Sequence, residues 1–414
     1  MKSSYKELGN YIQPVVGRNN DLADLPLMGL SIQKKFIPSI ANTIGTDMST
    51  YRIIEKKQFA YGPVTSRNGD KITIALFNDY EKALISQAYT PFEVKDTNEL
   101  NPEYLMMWFR RPEFDRYARF KSHGSAREIF DWDEMCNTLL PLPSPEKQRE
   151  IVAEYNVIQN RIKLNDKLIK KLEETAQAIY KQWFVDFEFP DENGKPYKST
   201  GGKMVFNEEL DKEIPVGWEV GILGDYCSKI TKGTTPEKMY TEKTETAIVK
   251  YIKGESLKES HLFDVEKISF INTETHIELN RSILEEYDIC YSIAGTLDKF
   301  AIVDKSILPA NTNQAIAIIR VDESKINKYF IIGLFLSNWQ KEYYRFNIQQ
   351  AVQANLSLET ISTLPIILPD NKILTEISNS VKAIFDKKLI ADIENRKLEE
   401  FNSLLLSKLA TLEY

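Results

Sequence analysis

Cysteine is nearly missing from this 414-residue chain: Cys136, Cys227 and Cys290 are far apart and odd in number. With no CxxC pair and no zinc-ligand spacing, neither a disulfide scaffold nor a structural metal organises the fold. A reduced, cytoplasmic setting is expected. Histidine is equally sparse, and His123, His261 and His276 have no neighbouring nucleophile or metal partner in the sequence. No apolar run approaches the ~18 residues of a membrane span, and Met1-Lys2-Ser3-Ser4-Tyr5 lacks the apolar core of a signal peptide. No membrane partner is therefore expected. There is no Pro-Pro dipeptide, so the loop with which adenine methyltransferases hold a flipped base is missing; Asn101-Pro102-Glu103-Tyr104 predicts a helix start instead. A GxxxxGK[ST] phosphate loop is absent too, since Ser199-Thr200-Gly201-Gly202-Lys203 has its composition without its spacing. Asp370, Asp386 and Lys388 make no nuclease centre, because residues two apart on a helix point in different directions. The chain is predicted to be no enzyme and to hold no cofactor or metal. Finally, 53 Lys and Arg against 60 Asp and Glu leave −7, which argues against a general nucleic-acid coat but permits local patches of cations.

What is present is a duplication. Leu8-Gly9-Asn10-Tyr11 returns as Leu223-Gly224-Asp225-Tyr226, offset by 215, and Ser86-Gln87-Ala88 returns as Asn313-Gln314-Ala315, offset by 227. Tyr104 meets Tyr329, Phe114 meets Trp339, Glu134 meets Glu359 and Thr138-Leu139 meets Thr363-Leu364, all at 225. Lys171-Leu172-Glu173-Glu174 meets Lys397-Leu398-Glu399-Glu400 at 226. The order is kept and the drift is that of loop insertions. A period above 200 is too long for a solenoid, whose units run roughly 20–50 residues. One task performed in two places is the implication.

Each copy carries short β-rich segments, 71–77 and 314–321 among them, followed by an amphipathic helical stretch at 102–118 or 327–346. Each then ends in a proline-punctuated segment, Leu139-Leu140-Pro141-Leu142-Pro143-Ser144-Pro145 or Leu364-Pro365-Ile366-Ile367-Leu368-Pro369, suited to precede a helix. Beyond it, Ile151, Tyr155, Ile158, Ile162, Asn165, Ile169, Leu172, Ala176, Ile179 and Trp183 alternate four and three apart. So do Ile377, Val381, Ile384, Lys388, Ala391, Asn395, Leu398, Asn402, Leu405 and Leu409. This is a coiled-coil seam. Asn165, Lys388, Asn395 and Asn402 interrupt it, as residues that set register and orientation do. The expected fold class is α+β: two pseudo-repeated globular heads separated by two long helices packed as an antiparallel coiled coil. The boundaries are 1–143 for the first head, 144–189 for its helix, 190–214 for a connecting loop, 215–368 for the second head and 369–414 for the second helix. Helices of about 40 residues reach roughly 60 Å, against about 34–36 Å for a turn of duplex. Such a molecule would be a ruler with a reader at each end.

Charge is concentrated in the first head. Arg110, Arg111, Arg116, Arg119, Lys121 and Arg127 face only Glu113 and Asp115 within residues 105–127, beside His123 and Gly124-Ser125. A solvated helix face and a polar loop have the same composition. The matching stretch of the second copy is rich in amides, with Arg345, Asn347, Gln349, Gln350, Gln353 and Asn355. Arg, Asn and Gln carry the forked groups that read base edges, and Lys and Arg hold phosphates. A shared frame with different polar residues points to two readers of different sequences.

The same residues carry a family likeness. Leu140-Pro141-Leu142-Pro143-Ser144-Pro145-Glu146-Lys147-Gln148-Arg149-Glu150-Ile151 resembles the proline-rich lead into the first long helix of type I restriction–modification specificity (S) subunits. Gly124-Ser125 with Trp132-Asp133-Glu134, Trp183-Phe184-Val185-Asp186-Phe187, Ile214-Pro215-Val216-Gly217-Trp218-Glu219 and Lys232-Gly233-Thr234-Thr235-Pro236 are similar to further segments of that family. There are departures: 369–376 lack the Glu-x-Gln of the first copy, and Gly17-Arg18-Asn19 stands where the second copy has Gly233-Thr234-Thr235. The resemblance implies a non-catalytic adaptor whose heads, target recognition domains, each read half of a bipartite site in double-stranded DNA. It implies docking of two modification (methyltransferase) subunits and of restriction (endonuclease/translocase) subunits, which would supply S-adenosylmethionine, ATP and Mg. The candidate DNA-binding set is Arg67, Arg110, Arg111, Arg116, Arg119, Lys121, Ser125, Arg127, Lys232, Thr234, Thr235, Lys299, Arg345, Gln349, Gln350 and Gln353. The helix-packing set is Ile151, Ile158, Ile162, Ile169, Leu172, Ile179, Ile377, Val381, Ile384, Leu398, Leu405 and Leu409. A duplicated protein-binding coiled-coil scaffold without DNA readout is the alternative.

Overall fold

A computed structural model describes residues 5–40, 45–66, 68–69, 71–124, 127–295, 297–349 and 355–411. The chain forms two compact units, 1–163 with 395–414, and 164–394. In the first, Ile12–Pro14, Thr90–Val94, Phe59–Tyr61 and Ile74–Leu76 lie side by side in that order, all antiparallel. A second sheet orders Phe36–Pro38, Leu27–Leu30, Lys82–Ile85 and Arg52–Glu55, and its middle pair is parallel. Tyr5–Glu7 pairs with Leu139–Pro141 and closes the head at its base.

The second unit repeats this strand for strand. Cys227–Lys232, Ile316–Val321, Ile289–Ser292 and Phe300–Ile302 form the first sheet. Ser269–Ile271, Val249–Ile252 and Ala310–Thr312 form the second, again with one parallel pair. Glu219–Ile222 pairs with Pro365–Leu368. Among the described residues Arg52–Glu55 of the first unit lacks a counterpart, as does the ribbon of Met204–Asn207 and Lys212–Pro215 in the second. The duplication seen as residue offsets is thus a duplication of topology.

The period-two geometry of a strand explains why these strands read as continuous apolar runs. In Ile316–Val321, Ala317 and Ile319 face the core shared with the helices, while Ile316 and Ile318 face the core under the second sheet. Phe59 and Tyr61 likewise face one core of the first unit and Ala60 the other. Close approach fixes the repeated Leu-Gly motif: a Cβ on Gly9 would stand 2.7 Å from Cys136 Cβ, and one on Gly224 would stand 2.2 Å from Ser362 Oγ. Both neighbours end the short helix of their head, Trp132–Cys136 and Leu358–Ser362.

Three expectations are corrected. The helical stretch of each head is two helices, Pro102–Phe109 and Pro112–Lys121 in one, Lys328–Leu336 and Trp339–Gln349 in the other. Pro112 has no N–H to continue the first, and Asn338 turns the chain through a left-handed φ of 64°. The connection at 190–214 is not loop throughout: Met204–Asn207 pairs with Lys212–Pro215 as an antiparallel ribbon. The strand read at 71–77 covers only Ile74–Leu76. The Asn101 side chain does cap its helix, accepting from the backbone of Glu103 and Tyr104, and Asn327 does the same for Tyr329.

The long helices span Pro145–Tyr180 and Asn371–Lys408, the first continuing into a π turn at Lys181–Val185. Within the second unit, Asn165 donates to Glu394 at 2.9 Å and Lys388 donates to Glu173. As one number climbs the other falls, so the helices run antiparallel. Within the first unit, Ile151 and Tyr155 share a core with Leu406 and Leu409. Ile151, Ile158, Ile169, Ile377, Val381, Ile384 and Leu409 are buried; Ile162, Leu172, Ile179, Leu398 and Leu405 are half-buried.

Candidate nucleic-acid interface

Pairing register brings two loops together at one end of the first sheet in each head. In the second head Lys232 lies opposite Ala317. The loop leaving Cys227–Lys232 therefore meets the turn leading into Ile316–Val321. Thr234 donates its N–H to the Thr312 carbonyl at 3.0 Å, and a Cβ on Gly233 would stand 2.2 Å from that same oxygen. Only glycine allows this approach. The Tyr251 hydroxyl donates to the Thr234 carbonyl at 3.0 Å, and burial pushes that phenol up to about 12, so it keeps its proton. Arg281 Nη2 donates to Thr234 Oγ1 at 3.0 Å, and the Thr235 hydroxyl donates to the Gln314 side-chain carbonyl. Lys232, Thr235, Arg281 and Gln314, which meet at this clamped loop, are all exposed.

The first head repeats the placement with other residues. Pro14 lies opposite Phe92, and Val15 donates its N–H to the Pro91 carbonyl at 3.0 Å. Residues 15–20 therefore leave the sheet where 86–89 join it. Asn19, 1% exposed, pins the loop by bonding Ala23 through both ends of its amide. Arg18 and Gln87 are exposed. Arg281, Gln314 and Gln87 were not in the candidate set. For the glutamines, the signal was their equivalence at an offset of 227; for Arg281 the sequence held none, since a long-range contact brings it to the loop.

The basic stretch of the first head is less free than its composition implied. Arg111 is 5% exposed, lies 4.2 Å over the Trp108 ring and contacts Glu113 at 3.4 Å. Burial lowers its pKa while Glu113 opposes the shift. A side chain so enclosed is a packing element, which corrects its assignment to a DNA-facing surface. Arg110 is half-buried and donates to the Tyr155 hydroxyl. Glu128 pairs with Arg119, and Glu134 takes Lys121 at 3.3 Å and His123 at 3.6 Å. Arg116, contacting Glu113 at 3.3 Å, and Arg127 are the well-exposed cations.

In the second head, Arg345 contacts Asp298 at 3.1 Å and Lys299 contacts Glu259 at 2.9 Å. Arg67, Ser125, Gln350 and Gln353 lie outside the described residues, as does the side chain of Gln349. Among the described residues no cluster of His, Cys, Asp or Glu could hold a metal, and no helix is long and apolar enough to cross a membrane.

Two heads of one topology, each ending in an exposed polar loop and each followed by a long helix, define a duplicated recognition protein. The type I restriction modification DNA specificity domain family matches at residues 2–174 and again at 215–402. The chain belongs to that family, whose members recognise DNA sequence and do not catalyse. It is 27% identical over 312 residues to the type I restriction enzyme MjaIX specificity subunit of Methanocaldococcus jannaschii, covering 74% of this chain and 68% of that one. It is 24% identical over 438 residues to the HindI specificity subunit of Haemophilus influenzae, covering 91% of each. In fold it matches the type I restriction–modification S subunit from M. genitalium, with a TM-score of 0.56, 12% identity, and coverage of 99% of this chain and 96% of that one.

Proposed function

We propose that this chain reads an asymmetric, bipartite site in double-stranded DNA, each head taking one half. The observation that carries the reading is the repeated sheet end, where one topology presents Lys232, Thr234 and Thr235 in one head and Arg18 in the other. Equivalent frames with different polar residues recognise different sequences in equivalent poses. Arg116, Arg119, Lys121 and Arg127 of the first head, with Lys232, Lys299 and Arg345 of the second, supply phosphate contacts. The two long helices dock two modification subunits, and restriction subunits join that core; S-adenosylmethionine, ATP and Mg belong to those partners. The complex works in the cytoplasm.

The test is duplex binding by the chain assembled with its modification subunits, measured against salt. Changing Arg116, Arg119 and Arg127 together to glutamine weakens binding and flattens the salt slope by about 0.9 for each lost phosphate contact. An unchanged slope removes this patch from the interface. Absence of any duplex binding by the unaltered complex would leave the duplicated protein-binding scaffold as the function.

The helices are further proposed to set the unread gap between half-sites. Seven residues added to each helix in matched positions lengthen the pair by about 10 Å, which is about three base pairs. Mapping of methylated adenines then finds the half-sites correspondingly farther apart. A gap of unaltered length would refute the spacer role.

A further inference from the structure

We infer that Gln87 and Gln314 are equivalent base-reading residues, one in each head, and that Arg281 is a second reader in the second head alone. This rests on the DNA-reading function proposed above. The two glutamines occupy the same place in the fold, at the turn leading into the second strand of the first sheet. In both turns the preceding residue closes the chain: Ala88 N–H donates to Ser86 Oγ at 3.3 Å, and Ala315 N–H donates to Asn313 Oδ1 at 3.2 Å. The glutamine side chain is thus not needed to make the turn, and in both heads it is exposed.

Their chemistry suits base edges. Thr235 donates to the carbonyl of Gln314 and so orients the amide; its Nε2 has no partner among the described residues. A side-chain amide held this way accepts from adenine N6 while donating to N7. Arg281 spends one donor on the neutral Thr234 hydroxyl and meets no carboxylate among the described residues. Its remaining donors match guanine O6 and N7. This separates it from Arg111, which is buried against Trp108, and from Arg119 and Lys121, which each contact a carboxylate. The loop beneath is clamped by the Gly233–Thr312 approach and by Tyr251, so little freedom is lost on binding.

The experiment selects sequences from a randomised duplex library with the full chain assembled with its modification subunits. Gln314→Ala lowers discrimination at an adenine of one half-site by about 10-fold and leaves the other half unchanged. Gln87→Ala does the mirror image. Arg281→Ala loses a guanine in the half affected by Gln314→Ala. The glutamine variants keep the salt slope of non-specific binding, which a merely structural role would weaken. Gln314→Glu keeps the carbonyl that Thr235 holds but cannot donate to N7, and moves the preference toward cytosine, whose N4 donates to a carboxylate. Wild-type discrimination at every position in both glutamine variants would overturn the inference, and so would a change in both halves from one substitution. An unaltered complex with no sequence preference would instead refute the DNA-reading function.

Discussion

Replacing Glu173 by leucine is expected to destabilise the second unit by about 3–5 kcal/mol, measured by urea unfolding of the full chain. The reason is the ammonium left behind. The Lys388 side chain is 2% exposed in the seam between the long helices, and Glu173 is its ion-pair partner. Asp392, 4% exposed and one turn along the helix, also raises the Lys388 pKa, by less than Glu173 does. Burial lowers that pKa although Glu173 and Asp392 raise it, and taking a pair of charges out of water commonly costs about as much as their attraction returns. The double variant Glu173→Leu with Lys388→Met is therefore expected to be close to neutral or stabilising. Its cost is conformational: the seam loses a contact that only one register of the helices can make. A double variant as unstable as Glu173→Leu alone would show that the pair itself supplies net stability.

Gln148→Ala is the second large effect, expected to cost about 3 kcal/mol or more in the first unit. The side chain is 0% exposed and joins the long helix to its head by three bonds. It donates to the carbonyls of Glu99 at 2.8 Å and Pro143 at 3.0 Å, and accepts from the Asn101 N–H at 2.8 Å. Truncation leaves two acceptors and a donor without partners in a site closed to water. Gln148→Leu does not rescue it, although leucine is what the second copy carries: Leu374, at the same offset of 226, packs against an apolar core instead. Loss of less than about 1 kcal/mol in both variants would mean that water or a shifted backbone satisfies those groups.

Gln148 also shows where sequence reading stops. Its place in the proline-rich lead to the helix marked it as part of a family motif, but nothing local revealed that it binds Glu99 and Asn101 across some 47 to 49 residues of chain. The basic stretch was misjudged for a related reason. Counting charge along 105–127 missed Glu128 and Glu134, which fold back onto it, and missed the burial of Arg111 against the Trp108 ring. The clamped loop in the second head is assembled from residues 233–235, 251, 281 and 312–314, and nothing in the sequence signals that these segments meet.

By itself the sequence determined what depends on near neighbours and on self-similarity: the duplication, the two helical seams with their polar interruptions, the helix start at Asn101, and membership of an α+β class. Helical periodicity and capping are written within a few residues, so they survive without knowledge of the rest. Only the tertiary structure decided the strand order with its single parallel pair per head, the fate of each cation, and which exposed polar groups stand together. Those depend on pairings across tens to hundreds of residues, where closing the chain brings together groups that no local pattern relates.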